Sequence, residues 1–339
     1  MKLLALLSLP ALCLAAATNI RMLTWAIRYD SLSDSISVDD TIAGLNSTVP
    51  VDSEIDYYSN HAEVAWSTRR IAMSSDILFN KVQLFAIQGA YTRQMTDLAS
   101  LLGDNWSYIG AGRDDGLESG EWQAIFYNTD ALSSLATDHF WLSTTPSEAS
   151  TYSGASSTRM VTRGQFALTS NSSATFTVFS THMDDKSDSA RQYGASLIRY
   201  RASYEAFDTR APVFLLGCLN TEPGSSSSAT AYKILTGLTE RVTINSTFSN
   251  TYASALNDTF YFLDVMDETS PTARSGHHST VSGFNEISDV DSFARTSFVL
   301  AGSNGGWTPV RYRVGENFFD NQYHMSNHRP LYVDVSIEA

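Results

Sequence analysis

The chain has 339 residues, 43% of them apolar, and sets 22 Lys and Arg against 36 Asp and Glu for a formal net charge of −14. That is enough apolar material for one large core or two ordinary ones. It disfavours tight, general nucleic-acid binding, which calls for a basic stripe facing phosphates; here small pairs at Arg69/Arg70, Arg199/Arg201 and Arg311/Arg313 read as solvated helix and strand faces.

The first residues, "MKLLALLSLPALCLAAATNI", place Lys2 before an apolar stretch from Leu3 to Leu14 and then the small residues Ala15, Ala16 and Ala17. This predicts a signal peptide over 1–17 and a secreted, extracellular mature protein over 18–339. The apolar stretch is shorter than the roughly 20 residues that span a bilayer, and no later segment reads as a transmembrane helix. Cys13 leaves with the leader, so Cys218 has no intramolecular partner and no disulfide framework is expected. Five N-x-S/T sequons, at Asn46, Asn105, Asn171, Asn245 and Asn257, suit a glycoprotein. No Pro-rich or charged linker and no repeat divides the rest, which predicts one domain and a monomer.

Strands and helices then alternate. "NIRMLTWAIRYD" reads as a strand and "VAWSTRRIAMSSDILF" as an amphipathic helix with Trp66, Ile71 and Leu78 on its apolar side. "LFAIQG" is a buried strand, and "AYTRQMTDLASLLG" a helix stopping at Gly103. Strands follow in "WSYIGA", "EWQAIFYN", "DHFWLS", "RMVTRGQFAL" and "TFTVFSTHM". "SARQYGASLIRYRASYEAF" is helical, with Tyr193, Leu197, Tyr200 and Tyr204 at helical spacing. "VFLLGCLN", "TSFVLAG", "TPVRYRV" and "RPLYVDVSI" complete the strands, and the pattern predicts two packed sheets flanked by helices.

Several stretches carry chemistry-bearing residues in order: "TWAIRYD", "AIQGA", "GEWQAIFYN" followed by "FWLSTTP", "STHMDDKSDSARQYGASLI", "GCLN", "RTSFVL" and "SNHRPLYVDV". From Ile20 to the C-terminus this series resembles the endonuclease/exonuclease/phosphatase superfamily, and its secreted fungal and bacterial members most. The resemblance implies a deoxyribonuclease-like four-layer α/β sandwich and a phosphoester hydrolase using Mg²⁺ or Mn²⁺. In such chemistry carboxylate and amide oxygens hold the ion, an oriented water attacks in line, and His and Asn stabilise developing charge.

Matched to the family pattern, the retained positions are His182, expected to contact phosphate, Asn220, expected to contact phosphate or nucleophile, and His328, expected as base or phosphate contact. Glu121 and Arg191 are also kept. The degenerate positions are Ala26 where the pattern has Asn, Gly89 where it has the metal-binding Glu, Cys218 and Ser297 where it has Asp, and Asn327 where it has Asp. This implies a pseudoenzyme that binds no metal, with a phosphorylated small molecule or another extracellular ligand as partner. The alternative is an active or altered hydrolase using relocated carboxylates among Glu121, Asp184, Asp185 and Glu222. The bland readings also stand: His182 as a core histidine, Asn220 as a turn cap, His328 as a loop-positioning group, Cys218 as a half-buried thiol. His277 and His278 resemble a metal pair but lie in a Gly/Ser loop with no third ligand beside them.

Overall fold

The computed structural model describes residues 18–45, 63–224, 229–284, 293–318 and 323–338. The expected leader over 1–17, with Cys13, and the sequon at Asn46 lie outside the described residues. Thirteen strands form two sheets. The first runs in the order β10 (Arg274–Gly276), β12 (Trp307–Val314), β13 (Leu331–Ile337), β1 (Thr18–Ala26), β2 (Leu84–Ala90), β4 (Trp122–Asn128), β3 (Trp106–Gly112). The second runs β5 (Leu132–Trp141), β6 (Met160–Leu168), β7 (Asn171–His182), β8 (Val213–Cys218), β11 (Ser297–Gly302), β9 (Phe262–Asp264).

Both sheets are mixed. The pairs β1–β2, β7–β8 and β10–β12 are parallel, and the remaining pairs antiparallel. A parallel neighbour needs a crossover. Helices α1 (Val38–Ala43) and α2 (Trp66–Phe79) lie between β1 and β2, and the 22-residue α4 (Asp188–Thr209) between β7 and β8. Helix α3 (Thr92–Leu102) follows β2 and ends at Gly103, whose φ of 89° only glycine adopts freely. Shorter helices α5 (Thr230–Leu235), α6 (Ser246–Thr251) and α7 (Val265–Glu268) complete the set.

Strands buried on both faces read as continuous apolar runs, and this is why "LFAI" and "VFLL" were legible. Alternate residues serve different layers. Ile20 and Met22 of β1 and Leu84 and Ala86 of β2 face Val178, Phe214, Leu216 and Val299 between the sheets. Leu23, Trp25, Phe85 and Ile87 pack outward on Trp66, Met73, Ile77 and Leu98 of α2 and α3. Phe179, Leu215 and Leu300 pack on Leu197, Ile198 and Ile234 of α4 and α5. The result is the expected four-layer sandwich. No helix among the described residues is long and apolar enough to cross a membrane.

Two expectations are corrected. Helix α2 buries Trp66, Arg70, Met73 and Ile77 rather than a Trp66–Ile71–Leu78 stripe; Leu78 is 44% exposed and Ile71 only half-buried. Arg69/Arg70 and Arg199/Arg201 are buried, not solvated, while Arg311 and Arg313 do face water. The reason is saturation: a buried guanidinium is tolerated when its donors are used. Arg69 Nη1 donates to Ile27 O at 2.7 Å and Met325 O at 2.9 Å, Arg70 Nη1 to Asp97 at 2.8 Å. Arg199 donates to Phe260 O and Ile234 O, and Arg201 to Glu205 and Asp138.

Arg69→Ala is therefore expected to destabilise the fold by about 3 kcal/mol in urea titration, because two buried carbonyls lose charged donors.

Candidate functional site

The parallel pairing of β1 with β2 and of β7 with β8 brings four carboxyl ends to one rim of the sandwich. Antiparallel β4 and β13 begin at the same rim, so their leading residues join it. The ends enclose a cleft of about 470 Å³. Ala26 comes from β1, Gln88 and Gly89 from β2, Glu121 from just before β4, His182 from β7, Asn220 from just after β8, and Asn327 and His328 from just before β13. Thus four positions read as retained (Glu121, His182, Asn220, His328) and three read as degenerate (Ala26, Gly89, Asn327) converge. Cys218 is wholly buried beneath them, in register with His182 on one side and Ser297 on the other; Cys218 and Ser297 are not in the lining.

Local geometry explains each placement. The ladder between β2 and β4 slips between Gln88 and Ala90, leaving Gly89 in a bulge at φ 77°. Ser326 Oγ donates to Ala26 O at 2.6 Å and accepts from His328 N at 3.1 Å, while Trp25 Nε1 donates to His328 O at 2.9 Å. Asn220 sits at φ 48°; its Nδ2 donates to Met183 O at 2.8 Å and its Oδ1 accepts from Cys218 Sγ at 3.4 Å. Asn220 is thus a loop brace that leaves one N–H for a ligand. Arg191 stays outside the lining and donates to Asp184 O at 2.9 Å.

Sequence reasoning missed the cations. Arg28, Arg159 and Lys186 line the cleft, and Arg113 stands behind it. Arg28 had a signal, because the family pattern "Ile-Arg" survives in "TWAIRYD"; Arg159 and Arg113 arrive on loops that carry none. Arg28 pairs with Glu63 at 2.8 Å, and Arg159 with Asp185 at 2.9 Å and Asp184 at 3.5 Å. Lys186 is exposed and forms no ion pair among the described residues.

Glu121 lies 3.0 Å from Arg113 Nη1 and 3.6 Å from His182 Nδ1. Burial opposes its charge, but His182 and the arginines outweigh burial and hold its carboxyl at about 2. Burial likewise opposes charge on His182, yet contact with Cys218 and Glu121 raises it to about 9. His182 in turn pulls the Cys218 thiol down against burial. His328 goes the other way: burial, then repulsion from His182 and Arg28, lowers it to about 3. At neutral pH the cleft holds one charged and one neutral imidazole.

A divalent cation of the kind the resemblance implies wants six or more oxygen ligands, several of them carboxylate. The residues present do not fit it. Ala26 and Gly89 offer no side-chain oxygen, Asn327 offers an amide, and Glu121 is already flanked by two cations. The candidate relocated carboxylates do not converge either. Asp184 accepts from Ser156, Lys186 N and Ser187 N, Asp185 pairs with Arg159, and Glu222 is exposed outside the lining. Among the described residues no three His, Cys, Asp or Glu side chains form a metal-binding group. His277 instead contacts Glu316.

Two mixed sheets flanked by helices, with a cleft at the strand ends, give this chain the fold of endonuclease/exonuclease/phosphatase proteins. It is similar to a protein of that family from Bacteroides thetaiotaomicron at 21% identity and a TM-score of 0.68, covering 96% of this chain and 100% of the other. A Bacteroides vulgatus protein of the family gives 19% identity and 0.69 over 95% and 100%. A mannosyl-6-phosphatase of B. thetaiotaomicron gives 20% and 0.67 over 93% and 99%. No protein-family model and no curated protein matches the chain.

Two outcomes are expected. In an NMR titration His182 keeps its proton through pH 7 and releases it near pH 9, and Glu121→Gln shifts that release to lower pH. Since the unfolded imidazole titrates at 6.5, the stabilisation from this charge is complete below pH 6.5 and fades as the pH rises toward 9. Separately, Gly89→Glu should lower stability by about 1–2 kcal/mol in urea titration, from its left-handed backbone. A Cβ there meets nothing within 3.9 Å but has Glu121 Oε2 at 4.0 Å, so the new carboxylate also faces a like charge.

Proposed function

We propose that this chain is a secreted pseudoenzyme of the endonuclease/exonuclease/phosphatase type, whose cleft binds the phosphate group of a small molecule without metal-dependent hydrolysis. The observation that carries the reading is the state of Glu121, the carboxylate deepest in the cleft: Arg113 and His182 already neutralise it. What the family's ion would supply as positive charge is here supplied by side chains. Charged His182, Arg28, Arg159 and Lys186 surround the opening, and Asn220 Nδ2 has a donor to spare. Neutral His328 lines the opposite side, and its buried Nδ1 has no hydrogen-bond partner among the described residues. Anion binding by such a donor set relies on charge-assisted hydrogen bonds, not on Lewis acidity.

Secretion rests on the leader pattern of residues 1–17. For glycans, Asn171 at the start of β7 keeps its Nδ2 free among the described residues, whereas Asn105, on an exposed turn, donates its Nδ2 to Asp130 at 2.8 Å. Asn245 caps α6 and donates to Thr144 O, while Asn257 is held by Ser203 and Ser254.

Thermal denaturation separates the readings. Mg²⁺ or Mn²⁺ should leave the melting temperature unchanged, whereas inorganic phosphate with chelator present should raise it, as any ligand selective for the folded state does. His182→Ala should remove the share of the phosphate effect that belongs to this cleft. Turnover of a phosphomonoester or diester that chelator and His328→Ala both abolish would overturn the proposal.

A further inference from the structure

Helices α2 and α3 cover the outer face of the seven-stranded sheet over β1, β2 and β4. Beyond them β12 turns Arg311 and Arg313 to solvent. Residues two apart on a strand share a face and stand about 7 Å apart. With Arg21, Asp334 and Tyr332 they line a cleft of about 280 Å³, remote in the fold from the strand-end cleft.

The register shows why these two guanidiniums stay free. Asp334 pairs in the ladders with Arg21 on one side and Arg311 on the other. Its carboxylate is committed to Arg21, through Nε at 2.6 Å and Nη2 at 2.8 Å. Arg21 is also fixed from behind by Asn80 O, which holds the pair together. Arg313 lies opposite Tyr332, whose hydroxyl donates to Asp76; that carboxylate attracts Arg313 but forms no ion pair with it among the described residues. Arg311 and Arg313 make no hydrogen bond or ion pair among the described residues. The other two arginine pairs are buried and donate to carbonyls or carboxylates, whereas this pair is exposed.

We propose that Arg311 and Arg313 form a second anion site, taking a tetrahedral dianion such as a phosphate or sulfate group. Two planar forks on one sheet face can each give parallel N–H donors to such a group. Bound there, the dianion relieves the repulsion between two like charges about 7 Å apart. The committed Asp334 keeps the site from closing on itself.

The test is equilibrium dialysis of the whole protein at low ionic strength, with labelled inorganic phosphate in one arm and labelled sulfate in the other. The natural protein is expected to bind one equivalent more than Arg311→Ala/Arg313→Ala, and each single substitution to weaken that equivalent roughly tenfold. The tighter arm identifies the group. Equal stoichiometry in the natural protein and the double variant overturns the proposal. Both residues are exposed, so an unchanged melting temperature certifies the variant's fold. Failure of the strand-end cleft is read separately, in His182→Ala, and leaves this difference in stoichiometry intact.

Discussion

The buried Arg69 guanidinium is the contact on which the cleft depends. One nitrogen joins Ile27 O, just past β1, to Met325 O, just before the turn that carries Asn327 and His328. A second reaches the carbonyls of Arg28 and Tyr29 at 3.3 and 3.4 Å. Two segments some 300 residues apart in sequence are thereby held by one group, and the cleft lies between them. A buried charge is costly unless it is hydrogen-bonded, and Arg69 spends all three of its nitrogens on backbone carbonyls, so the clamp is geometrically exacting. It ties the cleft's walls to α2 and hence to the outer core of Trp66, Met73 and Ile77.

Given that frame, the cleft's electrostatics follow from which charges reach the rim. With Gly89, Cys218 and Asn327 carrying no carboxylate, a rim that holds His182, Arg28, Arg113 and Arg159 has positive charge with one deep carboxylate to share. Glu121 takes Arg113 and His182, and His182 becomes the charged imidazole. Once His182 is charged, repulsion joins burial in keeping His328 neutral. The two histidines differ because their neighbours differ, with no difference in their own chemistry.

The strands were legible because strands buried on two faces leave dense apolar runs, and α4 because its period is long. The short β9 and β10 and helices α5 to α7 were not, being too brief for any period to emerge. The burial of Arg69, Arg70, Arg199 and Arg201 was invisible, because the carbonyls that make it tolerable come from distant segments. At the site, His182, Asn220 and His328 were found through ordered motifs, since the family pattern marks them residue by residue. Arg159 and Arg113 were not, because their role depends on which loops meet at the rim. The Glu121 pairing could not be read either: a glutamate beside a strand looks the same whether it faces water, a metal or two cations.

The thiol at 218 constrains the loop that follows it. Its Sγ donates to Asn220 Oδ1, which turns the other end of the amide to Met183 O. A carboxylate in the thiol's place is an acceptor facing an acceptor. To receive it the amide must rotate, and the rotation surrenders the bond that fixes the loop after β8. The thiol and the amide are thus a matched donor and acceptor, and a change at 218 alone is felt first in the loop after β8.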